Sequence, residues 1–180
     1  MGQMIFVIGP ESSGTRLMTK LFIKLGYEGE DTHKQKLDSI KLNESLDSSK
    51  DIVFRRSIPH GGIIPNIIAL HEYFKSQKFD IYTIITHRDF LANTFSKVAN
   101  KHSEQENVRQ DILDQWIYIG NCLQELEPFI IVSTSQLFAR PKPTLANLFF
   151  YMNLEEPIKK AKKLSPIIYD ADFKRMIDIF

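Results

Sequence analysis

The stretch MIFVIGPESSGTRLMTK, residues 4–20, decides the fold. Its first part, Met4–Ile8, is an apolar run of the residue types that form buried strands. A loop containing Gly9 and Gly14 follows, and the apolar pattern after Gly14 predicts a helix that ends at Gly26. A strand, a glycine-containing loop and a helix in this order can surround a phosphate group with backbone N–H groups at the helix amino terminus.

Three further apolar runs predict strands at Asp51–Phe54, Ile81–Thr86 and Phe129–Val132. Helical patterns lie between them, from Pro65 to about Ser76, from near Phe90, from Val108 to Leu126 and from Pro143 to Met152. Parallel strands need long crossovers, which are usually helical. The alternation therefore predicts one α/β domain over residues 1–180, with a central parallel β-sheet flanked by helices on both faces and ligands at the carboxyl ends of its strands.

Some segments carry predictions of their own. In the helix after Val108, we expect the apolar residues at helical spacing to face the core, namely Ile112, Leu113, Trp116, Ile119, Leu123 and Leu126. The polar stretch from Glu28 to Lys50 predicts a surface excursion. The lysines between positions 159 and 163 are typical of a solvated helix face. The apolar residues between Met176 and Phe180 predict that the tail docks.

Composition limits the classes of function. The chain has 180 residues, of which 43% are hydrophobic, and its 23 basic and 22 acidic residues give a formal net charge of +1. This balance argues against nucleic acid as a partner, so any anion must be bound locally. A single cysteine, Cys122, indicates a reducing compartment, and the opening apolar run is too short for an export signal or a membrane span. We therefore expect a cytoplasmic protein with no membrane insertion.

The loop before the first helix departs from the Walker A motif. That motif continues with Gly-Lys-Ser/Thr, in which the lysine contacts the terminal phosphates and the hydroxyl contacts magnesium. Here Thr15 takes the place of the lysine and Arg16 the place of the hydroxyl. The Ser13 and Thr15 hydroxyls and the Arg16 guanidinium can still bind a phosphate, but metal-dependent hydrolysis of a nucleoside triphosphate is disfavoured.

A second group of polar residues follows the third predicted strand. Arg88 stands at the end of that strand, and Ser96 comes eight positions later. If a helix begins near Asp89, Ser96 lies about two turns along it, so the two side chains could converge on one phosphate group.

These motifs together resemble the sulfotransferases that use 3′-phosphoadenosine 5′-phosphosulfate (PAPS). The Gly-Thr-Arg loop and the Arg88…Ser96 pair match the family's pattern, and a third match runs from Val132 through Arg140-Pro141 into the apolar helix that follows. The third match resembles the family's strand, turn and closing helix. The resemblance implies a fold like that of the P-loop-containing nucleoside triphosphate hydrolases, with PAPS as co-substrate and no metal.

The resemblance also implies roles for single residues. Ser12, Ser13, Gly14, Thr15 and Arg16 would hold the 5′-phosphosulfate of the donor, and Arg88 and Ser96 would hold its 3′-phosphate. The expected chemistry is in-line transfer of a sulfuryl group to a hydroxyl or amine of a small-molecule or carbohydrate acceptor.

The sequence departs from the family at two positions. Family members commonly have a cation where this loop has Ser12, and the position of the family's histidine base is Ser57 here. Our hypothesis is that His60 is the base and that Arg55 or Arg56 supplies the missing positive charge; Glu11 is a second candidate base. Two other functions stay open: a P-loop nucleotide kinase or NTPase, and a non-catalytic nucleotide-binding module.

Overall fold

The computed structural model describes residues 1–29 and 46–177, with side chains described as far as Ile168. Its elements are β1 (Gln3–Pro10), α1 (Thr15–Leu25), β2 (Ile52–Ile58), α2 (Ile67–Ser76), β3 (Asp80–His87), α3 (Phe90–Ala99), α4 (Val108–Cys122), β4 (Phe129–Ser133), α5 (Thr134–Ala139), α6 (Pro141–Tyr151) and α7 (Pro157–Ile177). A 3-10 turn, Leu123–Leu126, follows α4. Residues 30–45 of the predicted excursion and the side chains at the end of the tail lie outside the described residues.

The four strands form one parallel sheet in the order β2-β1-β3-β4. The pairs Pro10 with Ile58 and His87 with Ser133 bring the carboxyl ends of the strands to the same edge. The connection from β1 places β2 on one side of β1, and the connection from β2 places β3 on its other side. The direction of the strand order therefore reverses between β1 and β3. Ligands of open α/β sheets bind at such a point of reversal. The predicted parallel sheet is confirmed.

The core consists of two apolar layers, one on each face of the sheet. Along β1, alternate side chains point to opposite faces. Ile5 and Val7 pack with α1, α6 and α7, whereas Met4, Phe6 and Ile8 pack with α2 and α4. All five are fully buried, and each apolar side chain buried in this way stabilises the fold by about 1.5–3 kcal/mol. Helices on both faces, as predicted, are therefore what holds the sheet in place.

The second strand is longer than predicted. β2 continues past Phe54 to Ile58, so Arg55, Arg56 and Ser57 are strand residues. They pair with the last residues of β1, and this pairing satisfies the backbone groups on the side of β2 that faces β1. The predicted end of the strand was too early because it was based on the hydrophobicity of single residues. Pairing with a neighbouring strand cannot be read from that pattern.

Several helix predictions need smaller corrections. Leu113, which was expected to face the core, is 51% exposed, and Trp116 is half-buried at the core edge. α6 begins at Pro141 rather than Pro143, and the six-residue α5 lies where the resemblance implied a turn. Of the lysines between positions 159 and 163, Lys159, Lys162 and Lys163 are exposed, as predicted, and Lys160 is partly exposed. Within residues 1–29 and 46–177, no helix is both long and apolar enough to cross a membrane.

Candidate functional site

The β1–α1 loop is held by both strands that neighbour β1. On one side, the Glu11 amide donates to the Ile58 carbonyl at 2.9 Å. On the other side, the Ser13 hydroxyl donates to Thr86 Oγ1 at 2.7 Å, because the Thr86 hydroxyl is itself a donor to a carbonyl of β1. Gly9 leaves no room for a side chain, since a Cβ there would lie 2.4 Å from Thr86 Oγ1. These contacts give the loop a defined shape.

The first turn of α1 presents backbone donors beside this loop. Its amides have no helical acceptor, and the capping residue, Gly14, has no side chain to satisfy them. Gly14 has a left-handed φ of 105°, and a Cβ there would lie 2.4 Å from Thr134 Cγ2 at the start of α5. A glycine is therefore required at this position. Backbone N–H groups at a helix amino terminus and the positive end of the helix dipole favour an anion here.

Arg88 stabilises the loop directly. Its Nη1 donates to the Ser12 carbonyl at 3.3 Å. Ser12 has a left-handed φ of 67°, which costs a residue with a side chain roughly 1–2 kcal/mol. The guanidinium therefore supports the loop at its most strained peptide.

A cavity of about 780 Å³ lies against the loop, at the carboxyl edge of the sheet. Its walls belong to three segments, within residues 11–17, 55–62 and 96–102. The first contains the loop after β1 and the start of α1, the second contains the end of β2 and the turn after it, and the third contains the end of α3. A cavity of this volume is in the range of small-molecule sites.

Most of the predicted site residues line this cavity: Ser12, Gly14, Thr15, Arg16, Arg55, His60 and Ser96. Ser13 and Arg88 are not among the lining residues, since the Ser13 hydroxyl is fully buried against Thr86 and Arg88 contacts the loop. The position of Ser96 follows from the start of α3, where the Asp89 carboxylate accepts a hydrogen bond from the amide three residues later at 3.1 Å. Ser96 lies about two turns along that helix, as its spacing predicts.

His60 lies on the β2 wall of the cavity. A tight turn through Gly61 and Gly62, both with left-handed φ, connects it to Ile63, and the backbones of His60 and Ile63 bond to each other. His60 Nδ1 lies 3.2 Å from Ser57 Oγ. If Nδ1 carries the proton and donates it to Ser57, the other ring nitrogen is an acceptor. The ring then has the tautomer that a base requires.

The two candidate arginines have different surroundings. Both are buried, but only Arg55 lines the cavity. The Arg56 guanidinium stacks on the Phe54 ring at 4.1 Å from its centroid and donates to the Arg55 carbonyl at 2.9 Å. Of the two, Arg55 is therefore the one positioned to act on a ligand.

The opposite wall carries a cluster that the sequence did not predict. Lys97 of α3, which is 1% exposed, places its Nζ 3.5 Å from Glu11 Oε2. His102 Nδ1 lies 3.7 Å from Glu11 Oε1 and 3.1 Å from Ser12 Oγ. Glu11, the second candidate base, thus faces two basic side chains.

The other described histidines belong to the core or its edge. His71 is 1% exposed and packs near the Phe6 ring, and burial lowers the pKa of its imidazole. His87 lies against Trp116, with 5.5 Å between the ring centroids. Among the described residues, no group of three or more His, Cys, Asp or Glu side chains is arranged to hold a metal ion.

No family model matches this sequence, and no curated protein matches it.

Proposed function

We propose that the protein is a sulfotransferase that binds PAPS in this cavity and transfers its sulfuryl group to a hydroxyl or amine of a small-molecule or carbohydrate acceptor. One observation carries the proposal. Ser12, Gly14, Thr15 and Arg16 of the β1–α1 segment and Ser96 of the distant helix α3 were all assigned to the donor, and they line a single cavity at the sheet edge.

The donor's 5′-phosphosulfate would lie against the first turn of α1. There the amides of the first turn, the Thr15 hydroxyl and the Arg16 guanidinium would donate hydrogen bonds to its oxygens. The Ser96 hydroxyl, on the α3 wall, would bind the 3′-phosphate. Arg88 was also assigned to that phosphate, but it bonds the Ser12 carbonyl and does not line the cavity, so its role here is to support the loop.

The transfer step needs a base and a cation. The acceptor oxygen or nitrogen forms a bond to sulfur, while the bond between sulfur and the bridging oxygen breaks and leaves its electron pair on the 5′-phosphate. His60 takes the proton of the acceptor, and Arg55 adds positive charge to the cavity. We also propose that the α/β fold is the P-loop type of fold found in sulfotransferases.

The loop sequence disfavours a kinase or NTPase. Thr15 stands where such enzymes have lysine, and Arg16 stands where they have the magnesium hydroxyl. A nucleotide-binding module without catalysis would share the binding site but show no turnover.

Calorimetry separates these functions. Adenosine 3′,5′-bisphosphate, 5′-AMP and ATP with magnesium are titrated into the wild type, Ser96→Ala and Thr94→Ala. Thr94 is the matched control, because its hydroxyl donates to the Phe90 carbonyl of the same helix and does not line the cavity. We expect the bisphosphate to bind most tightly, and Ser96→Ala to weaken it about tenfold, the effect of losing one hydrogen bond to a charged group.

The outcomes against the proposal are specific. Tighter binding of ATP with magnesium would favour the kinase, and equal binding of all three ligands, or of none, would overturn the donor assignment. If the bisphosphate binds as expected, transfer of labelled sulfate to candidate acceptors tests catalysis. Unchanged transfer in His60→Gln, with donor binding retained, would remove His60 from the mechanism.

A further inference from the structure

The loop lacks a cation of its own at Ser12, yet a titratable ring lies beside that residue. His102 Nδ1 is 3.1 Å from Ser12 Oγ, and 35% of the His102 side chain is exposed. Both residues line the cavity. An imidazole changes charge close to neutral pH, so this ring can add a positive charge next to the loop.

The carboxyl end of α3 holds His102 in place. The His102 amide bonds to the Lys97 carbonyl, and the Lys101 amide bonds to the Val98 carbonyl, with Lys101 in a left-handed conformation. This is a Schellman motif, in which the first and last residues commonly make an apolar contact. Here those residues are Lys97 and His102, and both side chains face Glu11. The motif thus presents two basic groups to one carboxylate at the loop.

The contacts exclude a nucleophilic role for Ser12. In a Ser-His-Glu triad the serine and the carboxylate contact different ring nitrogens. Here Ser12 and Glu11 both lie nearest to Nδ1 of His102. The arrangement instead suits an imidazolium whose Nδ1–H faces Ser12 and Glu11, and whose second N–H is free to meet a ligand.

We propose that His102, as an imidazolium, is the cation that the loop lacks at Ser12, so that binding of the sulfuryl end of the donor is coupled to protonation of this ring. The proposal rests on the proposed function, because it assigns the 5′-phosphosulfate to this loop. Glu11 is the positioning residue for the ring, and Lys97 positions Glu11.

Other charged groups border the same space. Around His102 these are Glu11 from the loop, Lys97 and Lys101 from α3 and its end, and Arg16 from α1. Arg55 and His60 face it from the β2 wall. The Glu11 carboxylate attracts an imidazolium, whereas the lysines and arginines repel it. His60 is the other histidine among these groups, so the test must separate the two histidines.

Inorganic sulfate is the probe, since its charge is constant between pH 6 and pH 8 and any change in affinity must come from the protein. NMR titrations at both pH values would use the wild type and the variants His102→Gln, His60→Gln and Lys101→Gly. Lys101→Gly removes a neighbouring cation while glycine suits the left-handed position. We expect the wild type to bind sulfate about tenfold more tightly at pH 6 than at pH 8, as for a charge-assisted hydrogen bond gained at low pH.

This ratio should persist in His60→Gln and Lys101→Gly and fall below about twofold in His102→Gln. An unchanged ratio in His102→Gln, or no binding of sulfate to the wild type at pH 6, would overturn the proposal. The bisphosphate titration is independent of this result. If the bisphosphate does not bind but sulfate shows the His102-dependent ratio, the proposed function fails and the role of His102 stands.

Discussion

The ion pair between Lys97 and Glu11 predicts that removing the Glu11 carboxylate destabilises the fold. Lys97 is 1% exposed, Glu11 is 16% exposed, and their charged atoms lie 3.5 Å apart. At that separation the attraction is about 5 kcal/mol for an effective dielectric constant of about 20. Glu11→Gln would leave the ammonium buried without its carboxylate, and partial access of water to position 11 reduces the loss. We expect the free energy of unfolding to fall by about 3 kcal/mol at pH 7.

For a chain of this size, such a loss corresponds to a drop in Tm of roughly 6–12 °C, measured by calorimetry or circular dichroism. The control is Glu156→Gln, which removes the carboxylate of an exposed pair with Lys159 at 2.9 Å. It should change Tm by less than about 1 °C, although this pair is shorter, because solvent screens it. Adding Lys97→Met to Glu11→Gln should restore much of the loss. If Tm decreases by less than about 2 °C in Glu11→Gln, or decreases equally in the control, the assignment of a buried pair is refuted.

Three further predictions concern stability. Gly9→Ala should lower the free energy of unfolding by about 2–3 kcal/mol in a urea titration, because its Cβ would overlap Thr86. The control Gly120→Ala has open space around its Cβ and should raise the free energy of unfolding slightly. A Gly9→Ala variant more stable than Gly120→Ala would contradict the geometry. Because burial lowers the pKa of His71, the unfolded chain takes up a proton there below about pH 6.5 while the folded chain does not. Stability should therefore fall as pH decreases through that range, and His71→Phe should reduce the slope in melts between pH 7.5 and 5. Asn66→Ala removes the side-chain cap of α2 and should cost about 1 kcal/mol, whereas Asn66→Asp should retain most of it.

Much of the fold could be predicted because its signals are local. The apolar run Met4–Ile8 is followed by Gly9-Pro10, and the buried strand that it predicts is observed as β1. The end of β2 could not be predicted in this way. Arg55 and Arg56 are charged residues, yet both are buried and pair with β1. A strand partner so distant in sequence leaves no local pattern.

The candidate site also contains residues that local patterns predict and residues that they do not. Residues of the β1–α1 loop could be found because one short motif contains them, and Ser96 because helical spacing fixes it relative to Arg88. His102 was missed, since it lies ninety positions from Ser12 in a polar stretch. The buried position of Lys97 was missed as well. A lysine on a helix gives no sign of burial, and here the burial depends on a carboxylate from another loop.

The bond from Arg88 to the Ser12 carbonyl has a consequence for the kinetics of binding. It holds the loop in a single shape before any ligand arrives, together with the contacts to Thr86 and Ile58. No segment of the loop then has to be ordered during the encounter, so association is limited by diffusion and by the charge of the cleft. Ligands that differ in affinity for this loop should accordingly enter at similar rates and differ in how long they stay.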